Sequence, residues 1–183
     1  MDFGNLFDRV NKYKQILQNT EDYRMQWHNQ VKPMLENILG EFLETAGLSK
    51  AKIVVRDNIE NLEAVILDLG FTSSGISENI ENTEIKRIMI KSNGALIYQM
   101  LFNGKIMVMI QSPNIEGYGQ PKPPIALEIL RPDELTSPFI IRHLELFLKD
   151  ITEWEDFDDD QPQKPNAIGF TPSGYEFHGG EEG

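Results

Sequence analysis

Few residues in this 183-residue chain have the type and spacing for chemistry. It has three histidines, His28, His143 and His178, and no cysteine. A chain without cysteine has no thiolate nucleophile, no disulfide and no cysteine metal site. No His-x-x-x-His or His-Glu-x-x-His spacing occurs, so no metal site is expected on a helix face. His28 and His143 fall on different predicted helices, beside Trp27 and Leu144. They are expected at the surface or partly buried. Asp156, Asp158, Asp159 and Asp160 could gather a hard cation. The run lacks the glycine and terminal bidentate glutamate of an EF-hand loop, so it is expected to be solvated. No glycine-rich phosphate cradle follows a strand, and Ser73-Ser74-Gly75 is loop composition. Glu128 and Asp68 alternate with apolar neighbours on predicted strands. Acid–base work by these two carboxylates would require them within reach of one another. No catalytic residue, cofactor or metal is therefore assigned, and the expectation leans away from an enzyme.

A different kind of signal lies in IKRIMIKSNGALIYQMLFNGKIMVMIQ, residues 85–111. Asn93-Gly94 and Asn103-Gly104 between alternating apolar runs predict two tight hairpin turns, because type I′ turns need positive φ at both central residues. If both loops have two residues, Ile90 faces Ile97 and Met89 faces Tyr98 across the first. Across the second, Met100 faces Met107 and Tyr98 faces Met109. Opposed residues share a side of the sheet. One predicted face is then Ile88, Ile90, Ile97, Leu101, Ile106, Val108 and Ile110, with Gln99 as its polar exception. The other is Met89, Tyr98, Met100, Phe102, Met107 and Met109. Methionine is flexible and polarizable and suits adaptable binding surfaces, so this second face, with Tyr118 in a nearby loop, is the candidate binding surface. A one-residue slip at either turn would scramble the assignment. Such a stripe is most often ordinary core under another layer, and lining of an apolar pocket is the third reading.

The elements that would hold this sheet are legible in the periodicities. Phe3, Leu6, Phe7, Val10, Tyr13 and Leu17 recur at three- and four-residue spacing and predict an amphipathic helix over 3–18. A second helix is expected over 21–46 with Thr20 as N-cap, interrupted or kinked at Pro33 and closed by Gly47. Residues 52–57 and 62–69 predict a hairpin. Residues 70–83 and 112–124 are expected to be long loops, and 125–130 a short strand. Ser137-Pro138 marks the start of a helix to about Trp154. The fold class is α+β: an antiparallel meander of about six strands, with the N-terminal helices and one C-terminal helix packed on one face.

Charge and composition bound the partners. The net charge of −12 is unevenly spread: residues 1–152 hold 16 Lys/Arg and 20 Asp/Glu, and residues 153–183 hold 1 and 9. Residues 1–152 are expected to form one α+β domain, and 153–183 a flexible acidic, Gly/Pro-rich tail whose Phe170, Tyr175 and Phe177 could dock. No concentrated basic patch exists for a phosphate backbone, so no nucleic-acid partner is expected. No apolar run approaches a membrane span and the start lacks a secretory pattern, so no membrane association is expected and the default expectation is a cytoplasmic location. The leading expectation is a non-enzymatic protein-interaction, adaptor or chaperone-like module. It would bind a protein partner or a second copy of itself. The alternative is a small-molecule binder or enzyme with an apolar pocket between sheet and helices, offering Gln99, Glu128 and Asp68 as polar groups.

Overall fold

The structure is a computed structural model that describes residues 3–81 and 83–156. Expectations for His178 and for the tail from residue 157 onward lie outside the described residues. Helices α1 (Gly4–Gln26) and α2 (Lys32–Ala46) are joined without a break by a π-helical turn, Trp27–Val31. Pro33 accounts for that turn. It has no N–H, and its ring would collide with the Asn29 carbonyl in a regular helix. Widening the preceding turn relieves the clash, and the Lys32 amide donates to the Trp27 carbonyl five residues back. Thr20 does not start a second helix. It lies inside α1, and its hydroxyl donates to the Ile16 carbonyl at 3.0 Å. Gly47 ends α2 in the left-handed region, at φ 66°.

Eight strands follow: β1 (Lys52–Arg56), β2 (Ala64–Asp68), β3 (Phe71–Asn79), β4 (Lys86–Ser92), β5 (Ala95–Met100), β6 (Ile106–Gln111), β7 (Asn114–Ile115) and β8 (Ile125–Leu130). A 3-10 turn, Pro132–Glu134, leads into α3 (Ser137–Asp156). The fold is α+β, with a five-stranded antiparallel sheet in the order β1-β2-β5-β6-β8 and a separate three-stranded sheet, β3-β4-β7. The principal sheet has five strands where about six were expected, because β4 leaves it.

The reason lies at Asn93-Gly94, which is not a hairpin turn. Asp68 faces Ala95, and Phe71 faces Ser92 in the same register. β2–β3 and β4–β5 therefore form one long antiparallel ribbon, bent where Leu69-Gly70 passes Asn93-Gly94. Across the bend the Asn93 amide donates to the Gly70 carbonyl at 3.0 Å, and the Leu69 amide to the Gly94 carbonyl at 3.1 Å. Of the two turn residues only Gly94 has positive φ, at 96°, whereas a type I′ turn needs both. A Cβ there would lie 2.6 Å from Ile151 Cδ1 and 2.9 Å from the Gln111 carbonyl oxygen. The pairing expected across this site is replaced: Ile90 faces Ser73, and Ile88 faces Ser77.

Asn103-Gly104 does close a hairpin, with a loop one residue longer than expected. The Leu101 amide donates to the Lys105 carbonyl and the Gly104 amide to the Leu101 carbonyl, both at 2.8 Å, with Gly104 at φ 75°. That is a three-residue loop, Phe102 to Gly104, of the type I plus bulge kind. Tyr98 now faces Val108, and Met100 faces Ile106. A single-residue shift inverts one strand relative to the other, because the side-chain period is two.

The face under the helices consists of Val65, Leu67, Leu96, Tyr98, Met100, Ile106, Val108, Ile110 and Leu130. Trp27, Val31, Leu35 and Leu39 cover it from the π turn and α2, and Ile140, Leu144 and Phe147 from α3. Burying each large side chain contributes roughly 1.5–3 kcal/mol. The outer face is less closed: Ile97, Gln99, Met107 and Met109 are partly buried, and Ile129 is exposed. Residues 71–79, expected as loop, form β3 of a ribbon whose Phe71, Ile88 and Ile90 are exposed. A projecting ribbon has no core on either side, so its polar composition imitates a loop. A bulge between Ser73 and Ser77 interrupts it, with the Ser74 hydroxyl donating to the Met89 carbonyl at 2.8 Å. Among the described residues no helix is long and apolar enough to cross a membrane.

Candidate functional site

The seven residues of the candidate binding surface do not share a face. Tyr98 and Met100 point under the helices at 0% exposure. Met107 and Met109 lie on the outer face, partly buried. Met89 sits opposite the bulge of the β3–β4 ribbon, outside the principal sheet. Phe102 tops the β5–β6 turn and Tyr118 lies beyond β7, both exposed. The slip at the second turn and the bend at the first dispersed what a regular meander would have gathered.

The three polar groups suggested for a pocket do not converge either. Gln99 points to the outer face, where its Nε2 donates to the Leu62 carbonyl at 2.7 Å. Asp68 accepts the Gly70 amide at 2.8 Å and so holds the ribbon bend. Glu128 alone faces the helices, and it completes a buried polar chain. Tyr98 lies 3.2 Å from His143 Nδ1, while His143 Nε2 and the Arg142 guanidinium both contact Glu128 Oε1. Neutral His143 satisfies both neighbours in one tautomer: Nε2–H donates to the carboxylate, and Nδ1 accepts the phenol proton. Burial pushes the imidazole below its ordinary value, against the opposing pull of Glu128. Burial also pushes the phenol of Tyr98 up, helped by the Glu128 charge. Burial works against the Glu128 carboxylate as well, but hydrogen bonds from His143 and Arg142 outweigh it and hold that group below the usual range. A base, an orienting carboxylate and a hydroxyl in a row invite a catalytic reading. Tyr98 and His143, however, are sealed at 0% exposure among core side chains. The chain fixes α3 to β5 and β8 and satisfies every buried polar atom it contains.

A buried carboxylate, Glu63, roots the N-terminal helices. Glu63 accepts the indole N–H of Trp27 at 3.2 Å, with Lys32 at 3.5 Å and His28 at 3.7 Å from the same oxygen. Trp27 is fully buried, so a single acceptor anchors the π turn to the start of β2. Arg24 adds a bond from its guanidinium to the Phe102 carbonyl at 2.7 Å. Gly104 presses on the same root: a Cβ there would fall 2.6 Å from Tyr23 Cβ and 3.0 Å from the Thr20 carbonyl oxygen.

Beyond that root α1 is exposed at every residue from Gly4 to Gln18. No residue of α1 is buried. Its apolar stripe, Phe3, Leu6, Phe7, Val10, Tyr13, Ile16 and Leu17, is 44–64% exposed throughout. The amphipathic period was legible in the sequence, but a helix with a wide apolar face was expected to lie on the sheet. The missed signal is the spacing of Phe3, Leu6, Val10, Tyr13 and Leu17. Strict alternation of three and four is a narrow seam for another helix, superimposed on the broader pattern.

No family model matches the chain, and no curated protein and no solved structure matches it.

Proposed function

We propose that this chain is a non-enzymatic protein-interaction module whose binding element is α1. The observation that carries the reading is the apolar stripe of α1, seven large side chains each about half exposed on a helix anchored at its C-terminal root. Contiguous apolar surface on this scale marks a site of association, and an amphipathic helix offered to a groove or to another helix is a recurrent recognition mode. Met107 and Met109, with Ile97 and Ile129, form a lesser apolar area on the outer face of the sheet. The alternative of an apolar ligand held between sheet and helices finds little support in that layer, which Trp27, Leu35, Tyr98, Met100 and Phe147 fill at 0% exposure.

The test is titration of an environment-sensitive apolar dye into the full chain at high dilution, against a Val10→Ser/Tyr13→Ser variant. The parent is expected to bind dye and the variant to lose most of the signal with unchanged unfolding. Equal dye binding by the two proteins would reject α1 as the binding element.

A further inference from the structure

We propose that the partner of α1 is a second copy of this chain, packed antiparallel along the stripe. This rests on the interaction-module reading and names its partner. Phe3, Val10 and Leu17 take the first apolar position of successive heptads, and Leu6 and Tyr13 take the second, so the seam follows the exposed part of the helix from Phe3 to Leu17.

Charge decides the orientation. In a parallel pair Arg9 of each copy would face Lys14 of the other across the seam, two like-charge contacts. In the antiparallel register Leu6 packs on Leu17 of the second copy and Val10 on Tyr13. Arg9 then lies beside Ile16 and Lys14 beside Phe7. Both basic side chains lay their aliphatic stems on apolar neighbours, and the Lys14 ammonium reaches the Phe7 ring. The arrangement is isologous, as a two-fold dimer requires.

The ends of the helix fit the same register. Phe3 of one copy arrives at Thr20 of the other, beside the β5–β6 turn. There Phe102 is 74% exposed on a loop tied to Arg24 and pressed against Tyr23. Phe102 thus continues the seam at its root. With seven large residues each 44–64% exposed, the stripe leaves on the order of several hundred Å² open per copy, the scale on which one partner contributes to a specific interface.

The other occupant available is this chain's own segment 157–183, whose acidic and aromatic residues would complement the outer turns of α1, where Arg9, Lys12 and Lys14 stand against Asp8. Spacing favours the second copy, because Phe170, Tyr175 and Phe177 fall five and two residues apart and match no heptad seam, and the segment also starts at the other end of β5 from the root of α1. α3 ends at Asp156 with Glu155 2.5 Å from Lys91 and with Ile151 beside Gly94, at the start of β5. The root of α1 lies at the opposite end of that strand, by the turn carrying Phe102, and the stripe extends beyond it.

Sedimentation velocity on the full chain is expected to show a dimer of the 21.0 kDa protomer. Val10→Glu/Leu17→Glu should weaken dimerisation by about a hundredfold or more, about 2.7 kcal/mol, without changing the unfolding midpoint at dilution. Because the chain has no cysteine, orientation can be read directly. A mixture of Leu6→Cys and Leu17→Cys proteins should cross-link as the heterodimer with a short bismaleimide, whereas Phe3→Cys alone should not. Cross-linking of Phe3→Cys to itself would overturn the antiparallel register. A monomer that still binds apolar dye through the stripe would overturn self-association and leave the interaction reading standing. A monomer whose dye binding ignores stripe substitutions would remove both. A monomer that dimerises only after removal of residues 157–183 would transfer the stripe to the chain's own tail and overturn the proposal.

Discussion

Replacing Tyr98 by Phe isolates the buried polar chain, because it removes one oxygen and leaves the ring in place. The phenol donates to His143 Nδ1 at 3.2 Å, and both residues are at 0% exposure. With the donor gone, Nδ1 becomes an acceptor with neither partner nor water. Its Nε2–H is already committed to Glu128, so switching tautomer would only move the loss to the other end. Leaving one buried polar atom unpaired costs about 1–3 kcal/mol, and the apolar area buried by the ring is almost unchanged. About 2 kcal/mol should lower the thermal midpoint of a domain this size by roughly 4–8 °C. Urea unfolding followed by near-ultraviolet circular dichroism should show an earlier midpoint at constant slope. Combining Tyr98→Phe with Glu128→Gln should depart from additivity by at least about 0.5 kcal/mol, since the two groups act on one imidazole. A Tyr98→Phe protein within about 0.5 kcal/mol of the parent, or strict additivity with Glu128→Gln, would refute the reasoning.

The remaining predictions concern the same core and its anchors. His143 has its pKa depressed by burial, so below about pH 6.5 the unfolded chain takes up a proton that the folded one resists. Stability should therefore be full above that pH and fall as the pH drops through it, and His143→Gln should flatten the dependence. A parent whose urea midpoint rises on acidification from pH 7 to 5.5 would contradict the assignment. Glu63→Ala strands the buried indole N–H of Trp27 and should cost about 2 kcal/mol; a protein as stable as the parent would mean that another acceptor replaces the carboxylate. Gly94→Ala must place a Cβ against Ile151 and the Gln111 carbonyl at φ 96°, and should destabilise by about 1–3 kcal/mol in equilibrium unfolding. Unchanged stability there would mean that the ribbon bend can relocate.

The helices, all five principal strands and the α+β class were legible because each rests on local periodicity. Trp27, Leu35 and Leu39, and Ile140, Leu144 and Phe147, recur at helical spacing and do form the core. What failed was pairing, which depends on one residue at a time. Asn93-Gly94 carries the same dipeptide as Asn103-Gly104, yet the first is a bend in a ribbon and the second part of a three-residue loop. Neither outcome is visible in the dipeptide, because what distinguishes them is contact at long range: Gly70 across the bend, Tyr23 and Thr20 under the turn. The buried Tyr98–His143–Glu128 chain was hidden for the same reason, since its members are brought together only by the true register of β8 on β6.

The conformation of α1 ties this architecture to the proposed dimer. Residues 4–18 form about four helical turns that are exposed throughout, and isolated helices of that length are marginal in water. Their helicity is nucleated from the root, where Trp27 bonds Glu63, Arg24 bonds Phe102, and Gly104 closes on Tyr23. Order should then decay from Gln26 toward Phe3, and amide exchange should be fastest at the tip. A second copy reverses that gradient, because the antiparallel register sets the tip of one helix against the anchored root of the other. The segment least able to stay folded alone is thereby held by the best-anchored part of its neighbour. A stripe this exposed can persist on such a helix because the core of the domain does not depend on it, which separates association from stability in this chain.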